Sequence, residues 1–332
     1  MRFILAGSRP GAHRAWALRI IIALQTVILV CVCAAGNWAQ TSRPRRPGGG
    51  GGSASRAGSA TGAIKIITGQ AGSVVFINGV RHGSTNEKGE LYLPHVRAGS
   101  YPLRVVTVGF EDWKGVAVIA PGPGRTITTS QQPNHDEALL HYQKGDQLRD
   151  KGSNEEAIKE YDQALKLRAV FPEARLAMAR TYITLQKFQE SEKQIQAAVR
   201  DRRAPYTEAQ TVLANLRRNQ GLGEEAVAEY RKALRMAHGN SFEAHIGLGI
   251  ALSESGDVDG AVKEYQVGII QDMETEPILY YQLGEILEKA NRNKEAITAY
   301  RNYLRLDPEG QYASAVESII ERLKEESGGA RP

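Results

Sequence analysis

The chain has 332 residues, room for about two domains plus connecting segments. Its formal net charge of +5 sits at one end: residues 1–62 hold eight arginines and no acid, so +5 less eight leaves −3 for the remainder. That balance gives the later part no net pull on a phosphate backbone and excludes nucleic acid as the expected partner.

Residues 20–35 (IIIALQTVILVCVCAA) are apolar except for Gln25 and Thr26, and four arginines precede them. At 1.5 Å per residue the run spans about 24 Å, short of the roughly 30 Å hydrocarbon core. It reads as the core of an export signal, residues 1–39, cleaved after Ala39 or Ala35. An uncleaved membrane anchor is the alternative; a lipoprotein cysteine is disfavoured because valines, Val30 and Val32, precede Cys31 and Cys33. These are the two cysteines of the chain, so removal of the run leaves no thiol for a disulfide or a zinc site. Residues 40–62, with five consecutive glycines among Ser, Arg and Pro, predict a flexible linker that cannot bury enough apolar surface to offset chain entropy.

Residues 63–130 are strand-like. Asn78-Gly79 is a hairpin signal, because both residues tolerate the positive φ of a type I′ turn, and Lys88-Gly89 marks a second turn. Seven short segments or fewer predict a small all-β sandwich. GSVVFINGVRHGSTNEKGELYLPHVRAGSYPLRVVTVGFEDW resembles a PEGA domain, and its second half is similar to the carboxypeptidase regulatory-like sandwich. The residues that carry the likeness are Gly79, Gly83, Gly89, Gly99, Tyr101, Gly109 and Phe110. The resemblance implies a non-catalytic module of exported or envelope proteins.

EEAIKEYDQAL at Glu155–Leu165 returns as EEAVAEYRKAL, DGAVKEYQVGI and KEAITAYRNYL. Ala157, Ser191, Ala226, Ala261 and Ala296 stand 34, 35, 35 and 35 positions apart, and a small residue precedes each by 12: Gly145, Ala179, Ala214, Gly249 and Gly284. That period predicts paired helices stacked as an all-α solenoid, with turns at KGSN, QKF, QGLG, SGDV and ANRN. It resembles the tetratricopeptide repeat family: five helix-turn-helix units over residues 134–308. Ser191, Ile195, Gly268 and Tyr303 depart from the pattern. Residues 309–326 predict an amphipathic capping helix through Val316, Ile319, Ile320 and Leu323.

Such an array presents a concave groove lined by the first helix of each unit, where a protein or peptide partner lies. The expected groove residues are Tyr142, Asp146, Arg149, Arg180, Asn215, Arg218, Asn219, Glu254, Tyr281, Glu285 and Glu288, basic to neutral over three units and acidic over the last two. The plain reading of each charge is a solvated helix face. The family's Lys/Asn carboxylate clamp is not reproduced, since Tyr142 and Asp146 occupy its places in the first unit.

No catalytic signature is present: there is no H-E-x-x-H, G-x-S-x-G or P-loop. His135 and His141, six apart, make an unconvincing metal pair. Gly247 and Gly249 read as packing, and Glu155-Glu156 and Glu224-Glu225 suit helix N-termini. The sequence thus predicts a multidomain, exported, non-enzymatic scaffold of the periplasm or cell envelope that uses no cofactor and binds proteins in its groove. The alternative makes the sandwich a carbohydrate- or wall-binding module, with Tyr101, Phe110 and Trp113 as stacking candidates and the solenoid as its stalk.

Overall fold

The computed structural model describes residues 61–328; the export signal and nearly all of the predicted linker lie outside them. β1 (Thr61–Ile67) begins two residues before the predicted start of the sandwich, and six strands follow: β2 (Val74–Ile77), β3 (Val80–Ser84), β4 (Glu90–Arg97), β5 (Gly99–Val106), β6 (Trp113–Ile119) and β7 (Gly122–Thr128). They form a three-stranded sheet in the order β4-β1-β7 and a four-stranded sheet in the order β3-β2-β5-β6. β7 runs parallel to β1; the other pairings are antiparallel. Period-two alternation sends Ile64, Ile66, Val75, Ile77, Val96, Leu103, Val105, Ala117 and Ile119 into one core between the sheets. The Asn78-Gly79 turn forms as expected: Ile77 pairs with Val80, and both turn residues have positive φ, 53° and 80°.

Eleven helices follow among the described residues: α1 (Glu137–Asp150), α2 (Asn154–Leu167), α3 (Pro172–Thr184), α4 (Phe188–Arg202), α5 (Thr207–Asn219), α6 (Gly223–Met236), α7 (Phe242–Glu254), α8 (Val258–Gln271), α9 (Pro277–Lys289), α10 (Asn293–Leu306) and α11 (Ala313–Gly328). α1 to α10 make five hairpins. Ala157, Ser191, Ala226, Ala261 and Ala296 are all fully buried. Their partners twelve residues earlier let the paired helices approach closely: a Cβ on Gly145, Gly249 or Gly284 would lie 2.5–2.7 Å from the ring of Tyr161, Tyr265 or Tyr300. The departures have local reasons. Ser191 satisfies its hydroxyl on the Ala179 carbonyl at 3.0 Å, Gly268 makes room for Ile246, and Tyr303 fills the wider space of the last unit beside Tyr281 and Tyr312. α11 closes the array with Val316, Ile320 and Leu323 buried.

Each hairpin turns through one residue in the left-handed region: Gly152, Gln186, Gly221, Gly256 and Asn291, again 34, 35, 35 and 35 apart. Each donates its N–H three residues back, and the next N–H reaches five residues back, the double bond that ends a helix when a left-handed residue follows it. Gln186 (φ 56°) is the costly occupant, since a side chain there is strained by about 1–2 kcal/mol. Gln186→Gly is expected to stabilise the array by about 0.5–1 kcal/mol once glycine's larger backbone entropy loss is set against that relief. Urea unfolding of the two proteins measures it.

The sandwich does not hang from the array as a separate bead. At one side Gln143 of α1 accepts from the Gly109 N–H at 3.1 Å and donates to the Phe110 carbonyl at 2.9 Å, and Arg81 of β3 pairs with Asp150 at 3.0 Å. At the other side the loop between α8 and α9 reaches the sandwich. Met273, 1% exposed, packs into the sandwich core, and Asn78 donates to the Gln271 carbonyl at 3.3 Å. The sandwich therefore bridges the first and fourth units.

Candidate protein-binding groove and interdomain cleft

The predicted groove residues lie on the first helices of successive units, and ion pairs run between those helices. Arg180 on α3 reaches Glu208 of α5 at 3.2 Å and Glu243 of α7 at 2.7 Å. Asn215 donates to Glu243 at 3.1 Å, and Arg218 of α5 pairs with Glu254 of α7 at 3.2 Å. Arg149 is held by Asp146 at 3.0 Å and by Asp150 at 3.5 Å. Glu288 pairs with Arg322 of α11, Asn219 donates to the Asn215 carbonyl, and Tyr281 stacks on Tyr312 at 4.6 Å. Each arginine of the expected basic-to-neutral stretch, Arg149, Arg180 and Arg218, thus has a carboxylate partner in the chain. Burial lowers the Arg180 guanidinium, but Glu243 and Glu208 outweigh it and hold the charge firmly in place. Glu208 and Glu243 were missed because each sits in the first turn of its helix, where an acid is sufficiently explained by the dipole.

Three groove positions serve the array itself. Tyr161 donates its hydroxyl to Asp146 at 2.8 Å, Tyr230 to Asn215, and Tyr300 to Glu288 at 2.8 Å. Burial, helped by Asp146 and Glu288, pushes the Tyr161 and Tyr300 phenols up. Burial takes Tyr230 to about 12 against the pull of Arg218, so all three remain donors at neutral pH.

A cavity of about 540 Å³ opens at the far end of the groove beside Tyr281, Glu285 and Glu288, and at the first unit the outer face of the four-stranded sheet confronts α1 across a larger cleft of about 750 Å³. Val74 and Phe76 of β2, Val106 of β5, Val108, and Leu139 and Tyr142 of α1 supply apolar wall. Its charges cancel locally, as Arg81 with Asp150 and Arg104 with Asp112 at 3.2 Å, and Arg104 also lies 4.3 Å over the Phe76 ring. The sandwich half of this cleft had one sequence signal. Val74 to Ile77 is apolar at every position, so both faces of β2 need cover, and a two-layer sandwich covers only one.

The PEGA domain family matches residues 61–132. Two tetratricopeptide repeat families match residues 176–241 and 211–274, and residues 278–309, and the TPR repeat family matches residues 145–186. The chain carries a PEGA domain and tetratricopeptide repeats. Similar solved structures include YrrB, a TPR protein with an unusual peptide-binding site (18% identity, 56% of this chain and 94% of that one, TM-score 0.39). Others are a thermophilic TPR protein of Thermus thermophilus (22%, 55% and 99%, 0.48) and pilF of Pseudomonas aeruginosa (14%, 58% and 87%, 0.48). No curated relative matches the sequence.

Within the PEGA domain the stacking candidates are engaged in packing. Tyr101 lies back over Gly99, and Trp113 over Gly115, each ring covering the glycine two residues away on its own strand, and both rings pack on the sandwich core. Phe110 forms an isolated bridge with Pro133 and is half-buried. Of the histidine pair, His141 is engaged by Glu160 at 2.6 Å. Among the described residues no helix is long and apolar enough to cross a membrane.

Proposed function

We propose that this protein is an exported scaffold of the cell envelope, non-enzymatic, whose tetratricopeptide repeats and PEGA domain together hold a segment of a partner protein. Export rests on the arginine-flanked apolar run at residues 20–35, too short to span a bilayer comfortably. Partner binding rests on the cleft, where half of the wall is repeat helix and half is PEGA sheet. The segment that suits it carries apolar side chains toward Val74, Phe76, Val106 and Tyr142, flanked by charges of both signs. The rest of the groove, from Asn219 to Glu285, extends the surface along the array.

A photoreactive residue at Val108, which is 39% exposed in the cleft, is expected to cross-link the partner in the producing cells. The same residue at Tyr92, 59% exposed on β4 of the other sheet, is expected to give no such product. Val106→Asp in the Val108 probe strain should reduce the cross-link at least about tenfold, a loss of about 1.4 kcal/mol or more, with an unchanged circular dichroism spectrum. Equal yields from the two probe sites, or indifference to Val106→Asp, would remove the cleft from the reading. Protease protection in cells whose outer layer has been opened tests export separately.

A further inference from the structure

We propose that His82, Asp272 and Glu276 form a divalent-cation site of the zinc class that ties the PEGA domain to the repeat array. The three residues come from opposite sides of the joint: His82 from β3, Asp272 and Glu276 from the loop that enters α9. One ligand-capable atom from each lies within 4.8 Å of the other two. His82 and Asp272 face each other with both side chains 1% exposed, Nδ1 4.0 Å from Oδ1. Tetrahedral zinc bonds of about 2.0–2.2 Å put neighbouring ligand atoms about 3.4 Å apart, so modest side-chain rotation closes the set.

The hydrogen bonding around the site is half finished. Asp272 Oδ2 is well supplied, accepting from the backbone N–H of Thr275 at 3.1 Å and of Glu276 at 2.7 Å. Its other oxygen, Oδ1, is buried without a partner on the side that faces His82 Nδ1. A native interior leaves few such atoms, and each calls for an explanation. Neither Asp272 nor Glu276 is ion-paired with a lysine or arginine among the described residues. Thr275 accompanies the site, its hydroxyl 2.9 Å from His82 Nδ1; with a cation at Nδ1 the hydroxyl keeps the Asp272 carbonyl, 3.0 Å away, as its acceptor. One imidazole and two carboxylates balance a divalent charge, and a water completes the fourth position.

The full-length chain, stripped with chelator and dialysed against zinc chloride, is expected to hold one more zinc equivalent than Asp272→Asn or Glu276→Gln in the same background. Cys31 and Cys33 are present in every protein compared. Both substitutions keep shape, and the asparagine oxygen can still cap the Thr275 and Glu276 amides. In titrations the site is expected to weaken by more than about tenfold in each variant, and zinc is expected to raise the unfolding midpoint of the parent alone. Identical zinc content in the three proteins, or retention of calcium with no retention of zinc, overturns the proposal.

Discussion

Tyr230→Ala is expected to lower the stability of the repeat array by about 3–5 kcal/mol, the usual penalty for deleting a large buried aromatic side chain. Tyr230 is fully buried on α6, in the third of five units, and its ring covers Gly247 on α7. The substitution therefore opens a void on both sides of one inter-unit contact and strips Asn215 of the hydroxyl it accepts from. Because the helix packing of each unit is mainly with its neighbours, a weakened middle unit also divides the array energetically, the Arg180–Glu243 ion pair and the sandwich being the links that pass over it. Urea unfolding should change from one transition to two, the earlier with a smaller dependence on denaturant. Tyr230→Phe separates the contributions, since it keeps the ring and loses about 1 kcal/mol with the hydrogen bond. A single transition within 1 kcal/mol of the parent for Tyr230→Ala would show that the tyrosine does not fasten the third unit to the fourth.

Met273→Asp is expected to part the PEGA domain from the fourth repeat while leaving each folded. Truncating a buried methionine costs about 2–5 kcal/mol, and an aspartate in its place must also be neutralised or escape to water. Escape is the easier course. Met273 (φ 61°) and Glu274 (φ 62°) both hold a left-handed backbone that is uncommon away from glycine, so the loop relaxes when its anchor is gone. The sandwich keeps its own core of Ile64, Ile66, Val75, Leu103 and Val105. Small-angle scattering should show a larger radius of gyration, and the partner cross-link at Val108 should fall with it. An unaltered scattering profile would mean that the polar contacts of Gln143, Arg81, Asn78 and His82 hold the joint without the methionine.

The sequence made the repeats legible because close helix packing demands a small residue at a fixed place in every unit. Ala157, Ala226, Ala261 and Ala296, and the glycines twelve positions before three of the units, announce themselves through recurrence. Asn78-Gly79 was legible for another local reason, the positive φ that its turn requires. The joint was not, because its members occur once each. Gln143 looks like one more polar residue on α1, and Met273 like a stray apolar residue in a polar loop; only the tertiary placement of the sandwich gives them partners. The groove was legible in outline and not in charge. Arg149, Arg180 and Arg218 read in the sequence as a basic-to-neutral stretch, whereas the acids that pair with two of them come from the next unit and the next but one, at offsets of 28, 63 and 36 residues.

The bridge between Asn78 and Gln271 spans 193 positions of chain, as does that between His82 and Thr275. The last strand of the sandwich ends at Thr128, 145 positions before Met273, so during synthesis at about 5–20 residues per second the finished sandwich would wait roughly 7–30 s for the loop that plugs it. Through that interval the seat of Met273 stands open as a greasy notch on an otherwise finished module. The nascent chain thus passes through a stage at which a chaperone, or a second nascent chain, has something to grip, and the arrival of the fourth repeat ends it.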